Sequence, residues 1–198
     1  MISLSATVDV RTPIAGLDKL QRRQLPFATA LALTRTAQTA QSEIREDLPK
    51  HFKQRGSGLS WISRGIGIEA AKKDHPEATV YSRDWFMLYQ EEGGTKHPLT
   101  AAAMAVPMAA VAGMTQRPKP SALFEQPGVF TLRTATGAEF IARRTGPGAY
   151  PLALLYLLRP AVQVRPEWGF TETVERVAAE RFPGEMQSAL EIALRSAA

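Results

Sequence analysis

Apolar residues recur at alternating steps of three and four between Leu25 and Leu48: Ala30, Leu33, Ala37, Ala40, Ile44 and Leu48. That spacing keeps one face of an α-helix apolar and predicts the longest helix of the chain. Pro26 falls where a first helical residue is expected, since its missing N–H costs nothing there. Pro49 marks the stop, because the residue before a proline is biased away from helical geometry. The seam is narrow and mostly alanine, so another backbone can approach closely. Two readings stay open. The helix packs on its own sheet, or it also touches a neighbouring subunit through Ala30, Leu33, Ala37, Ala40 and Ile44.

Elsewhere the period is two. Ile2, Leu4, Ala6, Val8 and Val10 alternate with polar residues across Met1 to Arg11, a strand signal. Ile66 to Ala71 and Ala78 to Ser82 flank the turn-forming KKDHPE and read as a β-hairpin. Val129 to Ala135 and Glu139 to Arg144 flank Thr136-Gly137 as a second hairpin, with Phe130, Leu132 and Thr134 on one side. Met104 to Val111 reads as a further strand. Leu152 to Leu158 and Ala161 to Val164 are strongly apolar but interrupted by Arg159-Pro160, which places them at a sheet edge or bend.

Between these runs, HFKQRGSGLSWISRG (His51 to Gly65) reads as a mobile loop with Trp61 and Ile62 as anchors. A second mobile loop is expected near 112–128, with one helical turn at Ser121 to Glu125. Asp84 reads as the N-cap of a short helix, WFMLYQEE, with Trp85, Leu88 and Tyr89 facing inward. Glu167 to Phe182 is the second clear helix, with Phe170, Val174, Val177 and Ala178 on one face. Pro183-Gly184 is expected to break it before a last helix carrying Met186, Leu190 and Ala193. The class is α+β, with a long N-terminal helix and C-terminal helices packed on antiparallel β-hairpins in a single domain over 1–198.

Composition narrows the chemistry. The 198 residues contain no cysteine, which excludes disulfides and thiolate-bound metal. His51, His75 and His97 are in no metal-ligand spacing. The start, MISLSATVDV, lacks the charged and apolar regions of a signal peptide. No run is long and apolar enough to predict a membrane span.

Net charge is +5, and its distribution says more than its total. The basic excess lies mid-chain, from Lys50 to Arg165, and the tail from Glu167 onward is acidic. In a ring of identical copies such surfaces meet head to neighbour. The candidate basic residues, facing DNA or pairing with a neighbour, are Lys53, Arg55, Arg64, Lys72, Lys73, Arg143 and Arg144.

No catalytic signature is present. There is no phosphate-cradling glycine loop, no GxGxxG after a strand and no GxSxG elbow. Glu91 and Glu92 are adjacent, so their side chains diverge on a helix, and no third ligand sits at a useful spacing. A small hydrolase acting through Glu91, Glu92 or His97 is the formal alternative. Otherwise no catalytic residue, metal or cofactor is expected. Phe52, Trp61 and Tyr81 lie among Lys53, Arg55, Arg64 and Arg83, but no sequence-reading motif organises them. Non-specific phosphate contact needs only placed positive charge and stays open.

The order of four segments resembles the tailed-phage minor tail protein Z family and the broader tail-completion or neck proteins. These are LQRRQLPFATALALTRTAQ (Leu20 to Gln38), a hairpin closing in V-x-S-x-D (Val80 to Asp84), LYQEEGG (Leu88 to Gly94) and LYxLxxxVxVxP (Leu155 to Pro166). The resemblance implies structural work in a virion. It implies a six-fold ring of identical subunits at the head-proximal end of a long tail, assembled in the host cytoplasm. The implied partners are tail-tube and connector or terminator proteins, with genomic DNA passing through the lumen and no membrane. A minor tail protein nearer the tail tip, or a non-specific DNA-binding module, is the alternative.

Overall fold

The computed structural model describes residues 19–52, 58–114 and 116–196. The chain divides into two compact units. One comprises Met1–Glu92 and Pro166–Ala198, and the other is Gly93–Arg165. The strand expected over Met1 to Arg11 lies outside the described residues. The α+β class is what forms: the described residues make two long helices and three antiparallel sheets.

In the first unit, helix α1 runs over Lys19–His51 and α6 over Phe170–Arg195. They lie antiparallel. Ala37, Ala40, Ile44 and Leu48 of α1 join Phe170, Val174 and Val177 in one core. Further along, Ala28 and Ala32 meet Ala189 and Ala193, all four fully buried. A side chain as small as alanine lets the two backbones approach, so the contact is wall to wall.

Both helices run past their expected stops. Pro26 and Pro49 lie inside α1, and Pro183 lies inside α6, which is one helix where two were expected. A proline removes one i→i−4 bond. At Pro183 the freed carbonyl belongs to Ala179, and both residues are exposed. Burial on either side, at Val177 and at Ala189, outweighs that local loss.

A hairpin of β1 (Ile66–Glu69) and β2 (Thr79–Ser82) packs Ile66 and Val80 into the same core. Ahead of it, Gly58–Gly65 forms helix α2 where the sequence reading placed a loop. Trp61 and Ile62 explain the difference. Trp61 packs on Phe86 with ring centroids 5.4 Å apart, and Ile62 packs against the core, a long-range order that local glycine content hides. Two side chains of α1 fasten this junction. Arg45 donates to the carbonyls of Ser63 at 3.0 Å and Ile66 at 2.7 Å, and Gln41 donates to Ile66 at 2.8 Å. A single 3-10 turn, Trp85–Met87, leads into α3, Leu88–Glu92. It buries Met87, and Trp85 is 41% exposed against the inward position expected of it.

The second unit holds β3 (Gly94–Lys96), β4 (Met104–Pro107), α4 (Ala109–Ala112), α5 (Pro120–Leu123) and strands β5 (Val129–Arg133), β6 (Glu139–Arg144), β7 (Leu152–Arg159) and β8 (Val162–Val164). The main sheet has the order β4-β7-β6-β5 and is antiparallel throughout. The expected hairpin around Thr136-Gly137 is β5–β6, with Gly137 at φ 83°, a left-handed turn position that glycine takes without a Cβ penalty. The strand expected to reach Val111 stops at Pro107 and continues as α4, whose Val111 joins Leu123, Ile141, Leu155 and Tyr156 in this unit's core. Arg159-Pro160 is the bend where the chain leaves the main sheet for the β3–β8 ribbon. No helix among the described residues is long and apolar enough to cross a membrane.

Candidate functional site

The small-residue seam faces into the first unit. Ala30, Leu33, Ala37, Ala40 and Ile44 are all buried. A crevice of about 30 Å³ between Ala37, Ala40, Val80 and Val174 leaves room for roughly one water molecule.

The basic candidates fall on separate elements. Arg64 is exposed at the end of α2 and donates to the Ser60 carbonyl at 3.3 Å. Lys72 and Lys73 are exposed in the β1–β2 connection, with the Lys73 ammonium 5.1 Å from the Phe27 ring centre. Arg143 and Arg144 end β6 in the second unit, both exposed, with the Arg144 guanidinium 5.4 Å from the Phe130 ring. Lys53 and Arg55 lie outside the described residues.

The division into units sharpens the charge pattern. Gly93–Arg165 carries eight Lys and Arg against two Glu, a net of +6, while the rest of the chain carries 16 against 17, a net of −1. One of the two acids, Glu139, pairs with Arg133 at 3.8 Å. Lys119, Arg133, Arg143, Arg144, Arg159 and Arg165 are all exposed. The sequence reading put the basic region from Lys50 onward, because a linear scan does not show where one folding unit ends and the next begins.

The residues weighed for catalysis have other surroundings. Both carboxylate oxygens of Glu91 accept backbone N–H groups, from Phe170 at 2.7 Å and Thr171 at 2.8 Å. This carboxylate therefore holds the first turn of α6. Glu92 and His97 are exposed. Among the described residues no group of three or more His, Asp or Glu is arranged to hold a metal ion.

Asp84 occupies the N-cap position of the 3-10 turn but makes no side-chain cap there, contrary to expectation. Its Oδ2 is buried without a hydrogen-bond partner. Burial pushes its carboxyl pKa above the ordinary aspartate range. Gly65 makes this possible, since a Cβ there would lie 2.3 Å from Oδ2. At the surface, Arg176 bonds Glu43 at 2.6 Å and Glu180 at 3.2 Å, and these carboxylates raise its pKa, Glu43 most. Arg176 links α6 to α1.

A strip of rings was not legible beforehand. Trp61, Phe86, Trp85 and Tyr89 follow one another at centroid distances of 5.4, 6.3 and 6.2 Å, with Trp61 and Trp85 exposed by 45% and 41%. The only sequence signal was the bunching of aromatics after Asp84.

No curated protein and no solved structure matches the chain. The family described as prophage minor tail protein Z (GPZ) matches residues 10–198, nearly the whole sequence. The chain belongs to that family, and so is a structural protein of the phage tail and a component of the virion.

Proposed function

We propose that this protein is a ring-forming tail-completion subunit that joins the tail tube to the head connector and works by assembly, without catalysis. The observation that supports this beyond family membership is the charge partition, +6 on one unit and −1 on the other. Identical copies arranged head to neighbour set a strongly basic unit against a near-neutral one, so that two basic units do not face each other. A six-fold ring at the head-proximal end of the tail is the arrangement proposed, with tail-tube and connector or terminator proteins on its two faces.

Purified protein, alone and with tail-tube subunits, tests the reading by light scattering and electron microscopy. Uniform rings that dissociate as salt is raised are the expected result. A strict monomer in both preparations overturns it. Labelling the subunit on intact particles separates the neck from a position nearer the tail tip.

The exposed arginines of the second unit favour a second reading, non-specific contact with DNA in the ring lumen. Such binding neutralises phosphates and weakens steeply with salt. Absence of any DNA shift at low salt removes it.

A further inference from the structure

The main sheet is apolar on both faces, and the helices of its unit cover one of them. On the covered face Ile141 and Tyr156 stand opposite one another, buried beneath Val111 of α4 and Leu123 of α5. Residues that stand opposite one another on neighbouring strands share a face, so the register assigns the rest. Val106, Phe130, Leu132, Phe140, Leu154 and Leu157 lie on the other face. All six are half-buried, and none joins a core of described residues. An antiparallel sheet with one face in water alternates polar residues onto that face. Here those positions are apolar, the mark of a surface that another body covers.

Charge sits at the two ends of this face. Arg144, with its guanidinium over the Phe130 ring, pairs with Leu152 at one end. Arg159 pairs with Met104 at the other. Both arginines are exposed, and no carboxylate stands on this face of the four strands. From Leu152 to Arg159 is about 23 Å at about 3.3 Å per residue. Four strands about 4.8 Å apart make a strip about 19 Å wide, room for one helix about 10 Å across.

Helix α6 carries the matching pattern on the side turned away from α1. Glu175, Ala179, Pro183, Gln187 and Glu191 form an exposed stripe there. The stripe is acidic at both ends, with Glu172 beside Glu175, and its centre is low and uncharged. From Glu175 to Glu191 is about 24 Å at about 1.5 Å per residue, which matches the span between the two arginines. Arg176, beside the stripe, is drawn off by Glu43 of α1 and by Glu180. Glu191 lies 3.9 Å from Arg195, an exposed pair that is cheaply exchanged.

We infer that the outward stripe of α6 of one copy packs lengthwise on the uncovered face of the main sheet of a neighbouring copy. The inference rests on the ring-forming reading and names the contact that repeats around the ring. Burial of the apolar face supplies the attraction, and Ala179 and Pro183 let the helix lie close. Glu175 and Glu191 meet the two arginines, which fixes the helix along the sheet. Two sheets packed face to face would bury the same apolar residues but set one +6 unit against another.

The absence of native cysteine makes the test direct. Copies carrying Ala179→Cys or Gln187→Cys are mixed with copies carrying Leu154→Cys or Leu157→Cys and oxidised. At least one pair should give about tenfold more bridged dimer than the same helix cysteine with Thr131→Cys, because docking raises the effective concentration of the thiols. Thr131 is exposed but shares the covered face with Ile141. Glu175→Arg with Glu191→Arg should cut the bridge about tenfold, and Arg144→Glu with Arg159→Glu in the sheet copy should restore it. All four side chains are exposed, and rescue separates a contact from a folding defect. The same charge exchange, read by light scattering without any cysteine, decides the matter where a sheet cysteine fails to fold. No bridge above the control, no rescue, a bridge formed only within single chains carrying both cysteines, or a stronger bridge between two sheet cysteines overturns the proposal. Rings that persist without the helix–sheet bridge leave the ring reading standing. Bridged copies that never close into rings defeat the ring and keep the contact.

Discussion

Glu91 caps a helix that begins 79 residues later, at Phe170: its two carboxylate oxygens receive the N–H groups of Phe170 and Thr171 at 2.7 and 2.8 Å. The residue in the N-cap position itself, Gly169, has a left-handed backbone and no side chain to offer. A distant carboxylate supplies what the local sequence lacks, at the helix end where negative charge is favoured.

Glu91→Ala should therefore destabilise the fold by about 1–2 kcal/mol, the usual cost of losing a cap. Glu91→Gln keeps one acceptor and should lose less. Denaturant unfolding of both variants measures the difference. Ring assembly, read at a temperature where both are folded, should be unchanged.

Asp84 gives a pH signature. Its pKa is raised by burial, so the folded chain holds this proton more tightly than the unfolded chain. Below the unfolded value of about 3.9 the carboxyl is neutral in both states and no penalty exists. As pH rises through the folded pKa, ionised Asp84 weakens the fold. Asp84→Asn removes that slope, so its stability advantage over the parent should grow from acidic pH and then level off. Melting curves across that range test it. Gly65→Ala should cost about 1–3 kcal/mol by forcing the carboxylate aside. That cost should shrink in the Asp84→Ala background.

The contact of Ala28 and Ala32 with Ala189 and Ala193 admits no larger side chain. Ala189→Leu should separate the two helices there and destabilise by about 1–3 kcal/mol, despite being the more apolar residue. Ala179→Leu, on an exposed position of the same helix, should change stability by less than about 0.5 kcal/mol. Comparison of the two unfolding midpoints isolates packing from helix propensity.

Replacing Arg143 and Arg144 with Glu changes the second unit from +6 to +2. DNA affinity at low salt should fall, and the slope of log affinity against log salt should flatten by up to about two phosphate contacts. Fluorescence anisotropy across a salt series reads both. Unfolding should shift little, since both side chains are exposed.

Periodic elements were readable in the sequence, and contacts between distant elements were not. The α1 seam, the hairpin around Thr136-Gly137 and the β1–β2 pair each announce themselves by spacing and turn residues within a short window. Helix α2 does not, because Trp61 and Ile62 are ordered by Phe86 and the core. Pro183 misleads for the same reason: its local cost is overruled by alanines that meet α1 far away in sequence. Glu91 illustrates the limit most clearly. Its neighbours in the chain make it look like half of a carboxylate pair, and only the fold brings Phe170 to it.

Gly94 pairs with Val164, and the Gln90 carbonyl receives the N–H groups of Glu167 and Trp168 at 2.8 and 3.0 Å. The whole segment between them thus leaves and re-enters through adjacent doorways. Such a cassette can be exchanged, lengthened or trimmed over generations while the helical frame that carries it keeps its ends tied. One scaffold can in this way be refitted to new neighbours without being redesigned.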